Sequence, residues 1–348
     1  MTIAVHRRRD RGCFGGCRAG RWQLTTPVAF LIFNRPETTA RVFAEIARVK
    51  PPILLVVADG PRSDVTGEAE RCADARAIVE NGIDWQCDVR TNYAESNLGC
   101  KRRISSGLDW VFDAVDEAIV LEDDCLPHPT FFRFCEELLK RYRDDERIMT
   151  ISGDNFQFGR QRTRYSYYFS RYFHCWGWAS WQRAWKYYDA DMALWPEMDV
   201  GGWLRDLLQD PSAARYWTEV FRATRQGHID TWDYQYLFTH WSRGALSIIP
   251  AANLVSNIGF GAHSTHTHGS SRLANMPLGA IDYPLRHPPF MVRDAEADDF
   301  VQREFYSSAS TVRRVVAKAV QSVSLRHGPF CRSYRCADGK STSTQERA

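Results

Sequence analysis

The sequence predicts an α/β fold whose sheet is mostly parallel and is covered by helices on both faces. Between residues 27 and 155, short apolar runs alternate with stretches of helical periodicity. The runs are apolar throughout, which is typical of strands that are buried on both faces of a sheet. The chain has 348 residues, of which 44% are hydrophobic and 25% charged. This is enough to build the core of one large α/β domain or of two smaller ones.

The predicted elements follow one another in a regular order. Strands are predicted at 28–33, 88–93, 117–121 and 147–153. The stretch 52–60 is predicted to be a buried strand followed by a turn that contains Asp59 and Gly60. Helices are predicted at 34–49, at 67–80, from "SNLG" (96–99) onwards, and at 130–143. Asn34 is placed to cap the first helix, and Pro36 suits its first turn. In the third helix the apolar positions recur at helical spacing, at Ile104, Leu108, Val111 and Val115.

The composition changes near residue 160. Nine of the 12 tryptophans lie between Trp176 and Trp241, and we expect most of them in the core because large aromatic side chains dominate buried area. The predicted organisation is a disordered basic tail (1–26), an α/β half (27–155), a second, aromatic-rich half of the same domain (156–295), and a helix followed by a flexible tail (296–348).

Charge and apolar patterning exclude some classes of function. Residues 1–21 carry six Arg and one Asp; removing them from the totals of 45 basic and 42 acidic residues leaves 39 and 41. The chain after residue 21 is therefore close to neutral. This argues against nucleic-acid binding, which needs a basic face. No apolar run approaches the ~18 residues of a membrane span, and the N-terminus has no apolar core of a signal peptide.

These features, together with scattered cysteines, predict a cytoplasmic protein with reduced thiols that are not metal ligands. Two alternatives are open for the Arg-rich tail. It either contacts anionic lipid electrostatically at the inner face of the membrane, or it is only a solvated extension.

Acidic residues concentrate in the stretch "IVLEDDCLPHP" (119–129), at the end of the fourth predicted strand. Asn34, Asp59 and the triplet Glu122–Asp124 all follow predicted strands, and ligands bind at the carboxyl ends of parallel strands. Clustered carboxylates suit Mg²⁺ or Mn²⁺, which keeps positions open for substrate phosphates. The alternative is an acidic turn that stabilises the N-terminus of the following helix.

Four motifs together resemble the glycosyltransferases of the GT-A fold. They are "FNRP" after the first strand, "ADGPR" after the second, "NLGCKRRISSGLDW" at the third helix and "LEDDCLPHPTFF" at the fourth strand. The resemblance covers roughly residues 27–268. It is strongest to the inverting N-acetylglucosaminyltransferases of complex N-glycan synthesis and to bacterial family-2-like relatives. It implies a Rossmann-like GT-A domain, a nucleotide-sugar donor and a glycan or glycoconjugate acceptor. The half at 27–155 would then bind the nucleotide sugar, and the half at 156–295 would bind the acceptor and supply catalysis.

The resemblance also implies roles for the acidic residues. The Glu-Asp-Asp element stands where the family has its DxD motif, so Asp124 would ligate Mn²⁺ or Mg²⁺. Glu122 and Asp123 would then face the donor sugar and ribose. Asp59 would hydrogen-bond the uracil of a UDP-linked donor.

Basic residues at the same edge fit the chemistry of the leaving group. Arg35, next to Asn34, matches a basic residue near the nucleotide, and Lys101 matches a position that contacts ribose or phosphate. A nucleoside diphosphate gathers negative charge as the glycosidic bond breaks, and a cation with Lys101 or Arg35 would stabilise that charge. The alternative for each basic residue is an ordinary solvated surface charge.

Inversion requires a carboxylate that deprotonates the acceptor hydroxyl. The segment "IDTWDYQYLF" (229–238) offers Asp230 and Asp233. The resembling family has its catalytic Asp in a Trp-Asp context ahead of a strand ending in proline, here "LSIIP" at 246–250, and this favours Asp233. Alternatively, Asp230 caps a helix and Asp233 makes an ordinary hydrogen bond.

Two further segments are candidates for ligand contact. The loop "NIGFGAHSTHTHG" (257–269) is interpreted as a lid in which His266 touches the diphosphate or the metal; His263 and His268 are interpreted as exposed loop residues rather than zinc ligands. In "CWGWASW", Gly177 permits close approach of the backbone to a ligand, and Trp178 is the candidate wall of the donor or acceptor site.

Other functions remain open at this point. A sugar nucleotidyltransferase also uses carboxylate-bound Mg²⁺, but "FNRPETT" (33–39) lacks the Gly-rich basic loop it would need after the first strand. A carbohydrate-binding protein with a degenerate site is the non-enzymatic alternative, and the intact acidic triplet counts against it.

Overall fold

The structure is a computed structural model that describes residues 22–260 and 272–306. The strands are β1 (Val28–Ile32), β2 (Ile53–Ala58), β3 (Asp88–Tyr93), β4 (Glu117–Glu122), β5 (Cys125–Pro127), β6 (Ile148–Ser152), β7 (Tyr167–Ser170), β8 (Trp178–Trp181), β9 (Leu246–Pro250) and β10 (Val255–Asn257). The helices are α1 (Pro36–Val49), α2 (Glu68–Gly82), α3 (Cys100–Ala114), α4 (Thr130–Arg141), α5 (Gln182–Trp185), α6 (Trp195–Gly201), α7 (Trp203–Leu208), α8 (Pro211–Arg225), α9 (Asp233–Ser242) and α10 (Ala295–Val301), which a π-helical turn (Gln302–Tyr306) follows.

Eight strands form one sheet in the order β3-β2-β1-β4-β8-β6-β9-β7. The pairs β3-β2, β2-β1, β1-β4 and β6-β9 are parallel, whereas β8 and β7 run antiparallel to their neighbours. The predicted fold class is therefore confirmed: a mostly parallel sheet flanked by helices. The sheet draws strands from both predicted halves of the chain, since β7 to β9 lie beyond residue 155.

Alternate side chains of the central strands enter two different cores. Phe30 and Val56 pack in the core that includes α1 and α4, whereas Leu31 and Val57 pack in the core that includes α3, α8 and α9. Because both faces of β1 and β2 are buried, neither strand has room for polar residues. This explains why the strands read as unbroken apolar runs.

The strand order creates a switch point at the centre of the sheet. From β1 the chain moves outward to β2 and β3, and then crosses back through α3 to place β4 on the other side of β1. Crevices of this kind open at the carboxyl ends of the two strands, where the connections diverge. Here those ends are Phe33–Arg35 and Glu122–Asp124.

Local details correct one expectation and add one feature that the sequence did not predict. Helix α1 begins at Pro36 as predicted, but Arg35 occupies its cap position without a side-chain cap. The Asn34 amide instead donates to Glu68 Oε1 at 2.7 Å. The sequence also gave no sign of the small antiparallel sheet of β5 and β10, which pairs Cys125 with Asn257. This sheet brings the segment after β9 against the acidic turn.

The aromatic segment packs as predicted, with most of its tryptophans in the core. The buried ones are Trp178, Trp181, Trp185, Trp195, Trp217, Trp232 and Trp241. The cysteines within the described ranges carry free thiols. In the same ranges, no helix combines the length and apolar character needed to cross a membrane. Residues 1–21 of the predicted disordered tail (1–26) and residues 307–348 of the predicted flexible C-terminal tail lie outside the described residues. Residues 22–26 are ordered: Leu24 is buried in the core, and the Trp22 indole donates to Glu136 Oε2 at 2.7 Å.

Candidate functional site

A cavity of about 290 Å³ opens at the carboxyl ends of β1 and β4. Its lining brings together residues from both halves of the chain and combines carboxylates, guanidinium groups and one indole. They are Leu31, Ile32, Phe33, Arg35, Val57, Asp59, Arg62, Asn97, Gly99, Cys100, Arg103, Ile104, Glu122, Asp123, Asp124, Trp176, Asp230 and Asn257. Five of the predicted site residues are among them: Arg35, Asp59, Glu122, Asp123 and Asp124.

The acidic triplet sits in the turn between β4 and β5. Glu122 is the last residue of β4, and Asp123 and Asp124 form the turn itself. The Asp123 carboxylate is almost fully buried and accepts the Phe33 N–H at 2.9 Å, which ties the turn to the end of β1. The backbone of Asp124 is fixed from the other side, because its carbonyl accepts the Ile258 N–H at 2.8 Å. The turn is therefore held by elements on both flanks.

Arg35 neutralises part of this negative charge. Its Nη1 atom lies 2.5 Å from Asp124 Oδ2 and 3.4 Å from Asp123 Oδ1. Burial lowers the pKa of Arg35, but Asp123 and Asp124 more than offset it, so the net shift is upwards and the guanidinium stays charged. One guanidinium shared between two carboxylates leaves the turn with a net negative charge.

The remaining charge raises the pKa of the buried carboxyl groups. Burial raises the pKa of Asp123 to about 7, with Arg35 acting in the opposite direction. The pKa of Glu122 rises well above its usual range, first because of burial and then because of Asp124, Asp123 and Asp233. Carboxyl groups whose pKa is raised by burial and by one another are a mark of a functional site.

Asp59 uses its carboxylate to hold a neighbouring loop. Its Oδ1 atom accepts the N–H groups of Gly60 at 2.8 Å and Leu98 at 2.9 Å. Its Oδ2 atom accepts the Asn97 amide at 2.9 Å and the Gly99 N–H at 3.3 Å. Burial nevertheless raises the pKa of Asp59 against these bonds. Asp59 lines the cavity, but four donors already occupy its oxygens, so it shapes the loop at 97–99 that borders the ligand space.

Arg62 presents a second guanidinium to the cavity. It is anchored on the fully buried Glu68, which accepts its Nη2 at 2.5 Å and its backbone N–H at 2.7 Å. The Asn34 amide donates to the same carboxylate, and the guanidinium lies 5.9 Å from the centre of the Phe33 ring. Asn34 itself does not line the cavity. It supports Arg62 through Glu68.

The first turn of α3 forms another wall. Cys100 and Arg103 line the cavity, whereas Lys101 does not. The Lys101 backbone N–H donates to Asp230 Oδ1 at 3.3 Å, and Asp230 thereby supplies an acceptor to a helix start that has no side-chain cap of its own. Lys101 as a ribose or phosphate ligand stays a prediction.

Asp233 is the first residue of α9 and is half-buried beside the cavity. Its negative charge raises the pKa of two cavity residues, Glu122 and Cys100. The Thr231 hydroxyl donates a short hydrogen bond to its carboxylate. Asp233 is thus near the acidic turn, and a neighbouring hydroxyl orients its carboxylate. Its role as the general base stays a prediction.

The indole that lines the cavity is Trp176 and not the predicted Trp178. Trp178 is 1% exposed and stacks on Trp232 inside the core, with ring centroids 5.6 Å apart, so it cannot form a wall of the site. Gly177 between them has φ of +64°, and a Cβ there would come within 2.7 Å of Val255. The glycine therefore permits close packing against a side chain rather than against a ligand.

The acidic turn fits a hard divalent cation through its donor chemistry. The Asp124 carboxylate lines the cavity and is 13% exposed. Among the described residues, no group of three or more His, Cys, Asp or Glu side chains could hold a metal alone. The chain would therefore supply one or two carboxylate oxygens and the substrate phosphates the rest, which is the usual mode for Mg²⁺. The predicted lid residues His263, His266 and His268 lie outside the described residues.

Sequence reasoning missed several residues of the cavity. Arg62 lies within the motif "ADGPR", and its position just after a strand end could have singled it out. Trp176 lies just before β8, which runs antiparallel to β4 and β6. The start of β8 therefore lies beside the carboxyl ends of those two strands, where the cavity opens. The roles of Asn97 and Asn257 depend on contacts between distant segments, for which the sequence carries no local signal.

Comparison with known proteins gives weak likenesses. No protein-family model matches the chain, and no curated protein matches it. Mouse xyloside xylosyltransferase 1 is similar at 11% identity and a TM-score of 0.32, over 62% of this chain and 81% of that one. A UDP-glucose pyrophosphorylase complexed with UDP-glucose is similar at 12% identity and a TM-score of 0.23, over 42% of this chain. The match spans 62% of the pyrophosphorylase's length. At these values neither likeness carries an argument about activity.

Proposed function

We propose that the protein is a metal-dependent, inverting glycosyltransferase of the GT-A type that moves a sugar from a UDP-linked donor to a glycan or glycoconjugate acceptor. The observation that carries the proposal is the convergence of Glu122–Asp124, Arg35 and Asp59 on one cavity at the switch point of a mostly parallel sheet. Arg35, Asp59 and Glu122–Asp124 also lie within the sequence motifs that resemble those of GT-A enzymes.

The donor diphosphate would lie against the acidic turn and the basic residues that face it. Asp124 would hold Mn²⁺ or Mg²⁺, and the cation would neutralise the charge that develops on the leaving diphosphate. Arg35 and Arg62 border the same space and would add positive charge where the bond to the sugar breaks. The loop at 97–99, fixed by Asp59, would border the nucleotide.

Asp233 would act as the general base on the acceptor hydroxyl. Inversion needs a carboxylate on the side of the sugar opposite the leaving group, within hydrogen-bond reach of the attacking oxygen. Asp233 approaches the cavity from the second half of the chain, whereas the acidic turn belongs to the first half. For inversion, the acceptor hydroxyl would have to lie between Asp233 and the sugar, on the face of the sugar opposite the diphosphate.

The test is a screen for donor hydrolysis over nucleotide sugars, with and without Mn²⁺, combined with thermal unfolding. We expect UDP with Mn²⁺ to stabilise the protein by about 2.7 kcal/mol at a concentration a hundredfold above Kd. The variant Asp124→Asn should lose most of this stabilisation. Equal binding of UDP in the presence of a chelator would contradict the proposal. Preferential stabilisation by UTP, with formation of a nucleotide sugar, would favour a nucleotidyltransferase instead.

A further inference from the structure

The carboxylates of the acidic turn already have a positively charged partner, the guanidinium of Arg35. Arg35 Nη1 lies 2.5 Å from Asp124 Oδ2 and 3.4 Å from Asp123 Oδ1. The three side chains are 18%, 13% and 8% exposed respectively, so water screens their charges only in part. The guanidinium therefore occupies the carboxylate that the proposed function assigns to a divalent ion.

Among the described residues, two groups besides Arg35 crowd the Asp124 carboxylate. Its Oδ1 atom lies 3.6 Å from Cys125 Sγ, and the backbone of Gly259 packs so closely against the carboxylate that no side chain fits there. Like charges repel in proportion to the product of their charges, so a divalent ion repels a guanidinium twice as strongly as a monovalent ion does. A metal ion on Asp124 and Arg35 in its present position would therefore repel each other strongly.

We propose that Arg35 is an exchangeable counter-ion: it neutralises Asp123 and Asp124 while no metal is bound, and it leaves Asp124 when a divalent cation binds there. The inference rests on the proposed function for the nature of the site. It goes further by making Arg35 a competitor of the metal in the free protein.

The exchange predicts that metal and diphosphate bind together. Without a diphosphate, a displaced Arg35 loses an anionic partner, so the cation binds weakly. With a diphosphate in the cavity, Arg35 has a new anion within reach of its side chain, and the cost of its displacement falls. Each ligand must then raise the affinity of the other by the same factor. Arg35 would thus suppress metal binding until the donor is present.

The test measures binding of Mn²⁺ alone by electron paramagnetic resonance, without nucleotide and at low ionic strength. We expect Arg35→Gln to bind Mn²⁺ about tenfold more tightly than the wild-type protein, because it removes a competing positive charge from Asp124. The matched control is Arg62→Gln, which removes the same charge from the same cavity. Arg62 is anchored on Glu68, so this variant should change the Mn²⁺ affinity by less than about twofold.

Addition of UDP gives the second measurement. In the wild-type protein UDP should raise the Mn²⁺ affinity, and in Arg35→Gln the rise should be smaller because no guanidinium needs a new partner. If Arg35→Gln does not fold, Arg35→Lys replaces it. The lysine keeps the charge, but an ammonium is more strongly hydrated than a guanidinium. It should therefore hold Asp124 less firmly, and its Mn²⁺ affinity should exceed that of the wild-type protein.

The outcomes separate this inference from the proposed function. Equal or weaker Mn²⁺ binding by Arg35→Gln, or an equal gain in Arg62→Gln, would overturn the exchange while leaving a metal-dependent transferase intact. An absence of Mn²⁺ binding by all variants, with and without UDP, would overturn both.

Discussion

At the scale of single residues, Asp233 tests the proposed division between catalysis and donor binding. We expect Asp233→Asn to lower turnover by about 10²- to 10⁴-fold, the usual contribution of a general base. Donor binding should persist, because the residues that we propose to border the diphosphate belong to other elements. Steady-state kinetics with the transferred sugar as the readout, beside a UDP binding isotherm, would measure both quantities.

The neighbouring Asp230 provides the control for this prediction. Its carboxylate accepts the Lys101 N–H at the start of α3, so Asp230→Asn should affect stability or donor affinity more than turnover. Near-normal turnover in Asp233→Asn would exclude it as the base. A similar loss of turnover in both variants would point to the local structure of the loop at 227–232 instead.

At the scale of elements, the turn after β2 and the start of α3 behave as one unit. Asp59 accepts four hydrogen bonds, three of them from residues 97–99. Gly60 faces the backbone of Ser96 so closely that a Cβ would approach it to 2.5 Å. The two segments are therefore packed backbone against backbone, and the carboxylate binds them together.

We expect Asp59→Asn to reduce the free energy of unfolding of the ligand-free protein by about 1–3 kcal/mol, because an amide cannot accept from all four buried donors. UDP affinity should fall as a consequence of the loosened loop. Urea unfolding and a UDP isotherm would be compared with Asn97→Ala, which removes one donor only. If Asp59 contacts uracil directly, as the sequence resemblance implies, affinity should fall while the unfolding free energy stays unchanged.

His240 in helix α9 makes the free energy of unfolding depend on pH. His240 is fully buried, stacks on Phe173 at 5.4 Å, and bonds to Tyr236 O at 2.8 Å and Thr150 Oγ1 at 3.1 Å. Burial lowers its pKa from 6.5 to about 4. Its neutral form is therefore the folded form, and the stability it contributes is complete above pH 6.5 and is lost as the pH falls towards 4.

The variant His240→Gln isolates this contribution, because all other titrating groups are common to both proteins. The difference in unfolding free energy between wild type and variant should shrink by about 2 kcal/mol between pH 7 and pH 5. Urea unfolding at several pH values would measure it. A difference that stays constant over this range would show that His240 is not the titrating group.

At the scale of the whole molecule, the sheet joins the two halves of the chain around one cavity. β8 lies between β4 and β6, and this places Trp176, just before β8, at the cavity. The same half of the chain contributes Asp233, at the start of α9, beside the cavity. The residues that we propose to bind the donor come mainly from β1 to β4 and their connections. Separating the chain near residue 155 would therefore leave neither the complete eight-stranded sheet nor the complete cavity.

Much of this architecture could be predicted from local patterns. The runs at 28–33 and 118–121 are apolar throughout because their alternate side chains enter two cores, and this pattern can be recognised without knowing the packing partners. The acidic triplet could be placed at a strand end for the same reason. Asn34 was placed at a helix start, but the sequence could not show that Glu68, 34 residues away, would take its amide.

The sequence by itself determined the order of strands and helices in the first half, and it determined that carboxylates and a guanidinium would meet at one edge of the sheet. Only the tertiary structure decided which side chains face the cavity: Trp176 rather than Trp178, Arg62 rather than Lys101, and Asp59 turned onto its own loop. The physical reason is that periodicity specifies how far a side chain is buried. The direction in which it points depends on packing between distant segments, as in the bond from the Lys101 N–H to Asp230, 129 residues away.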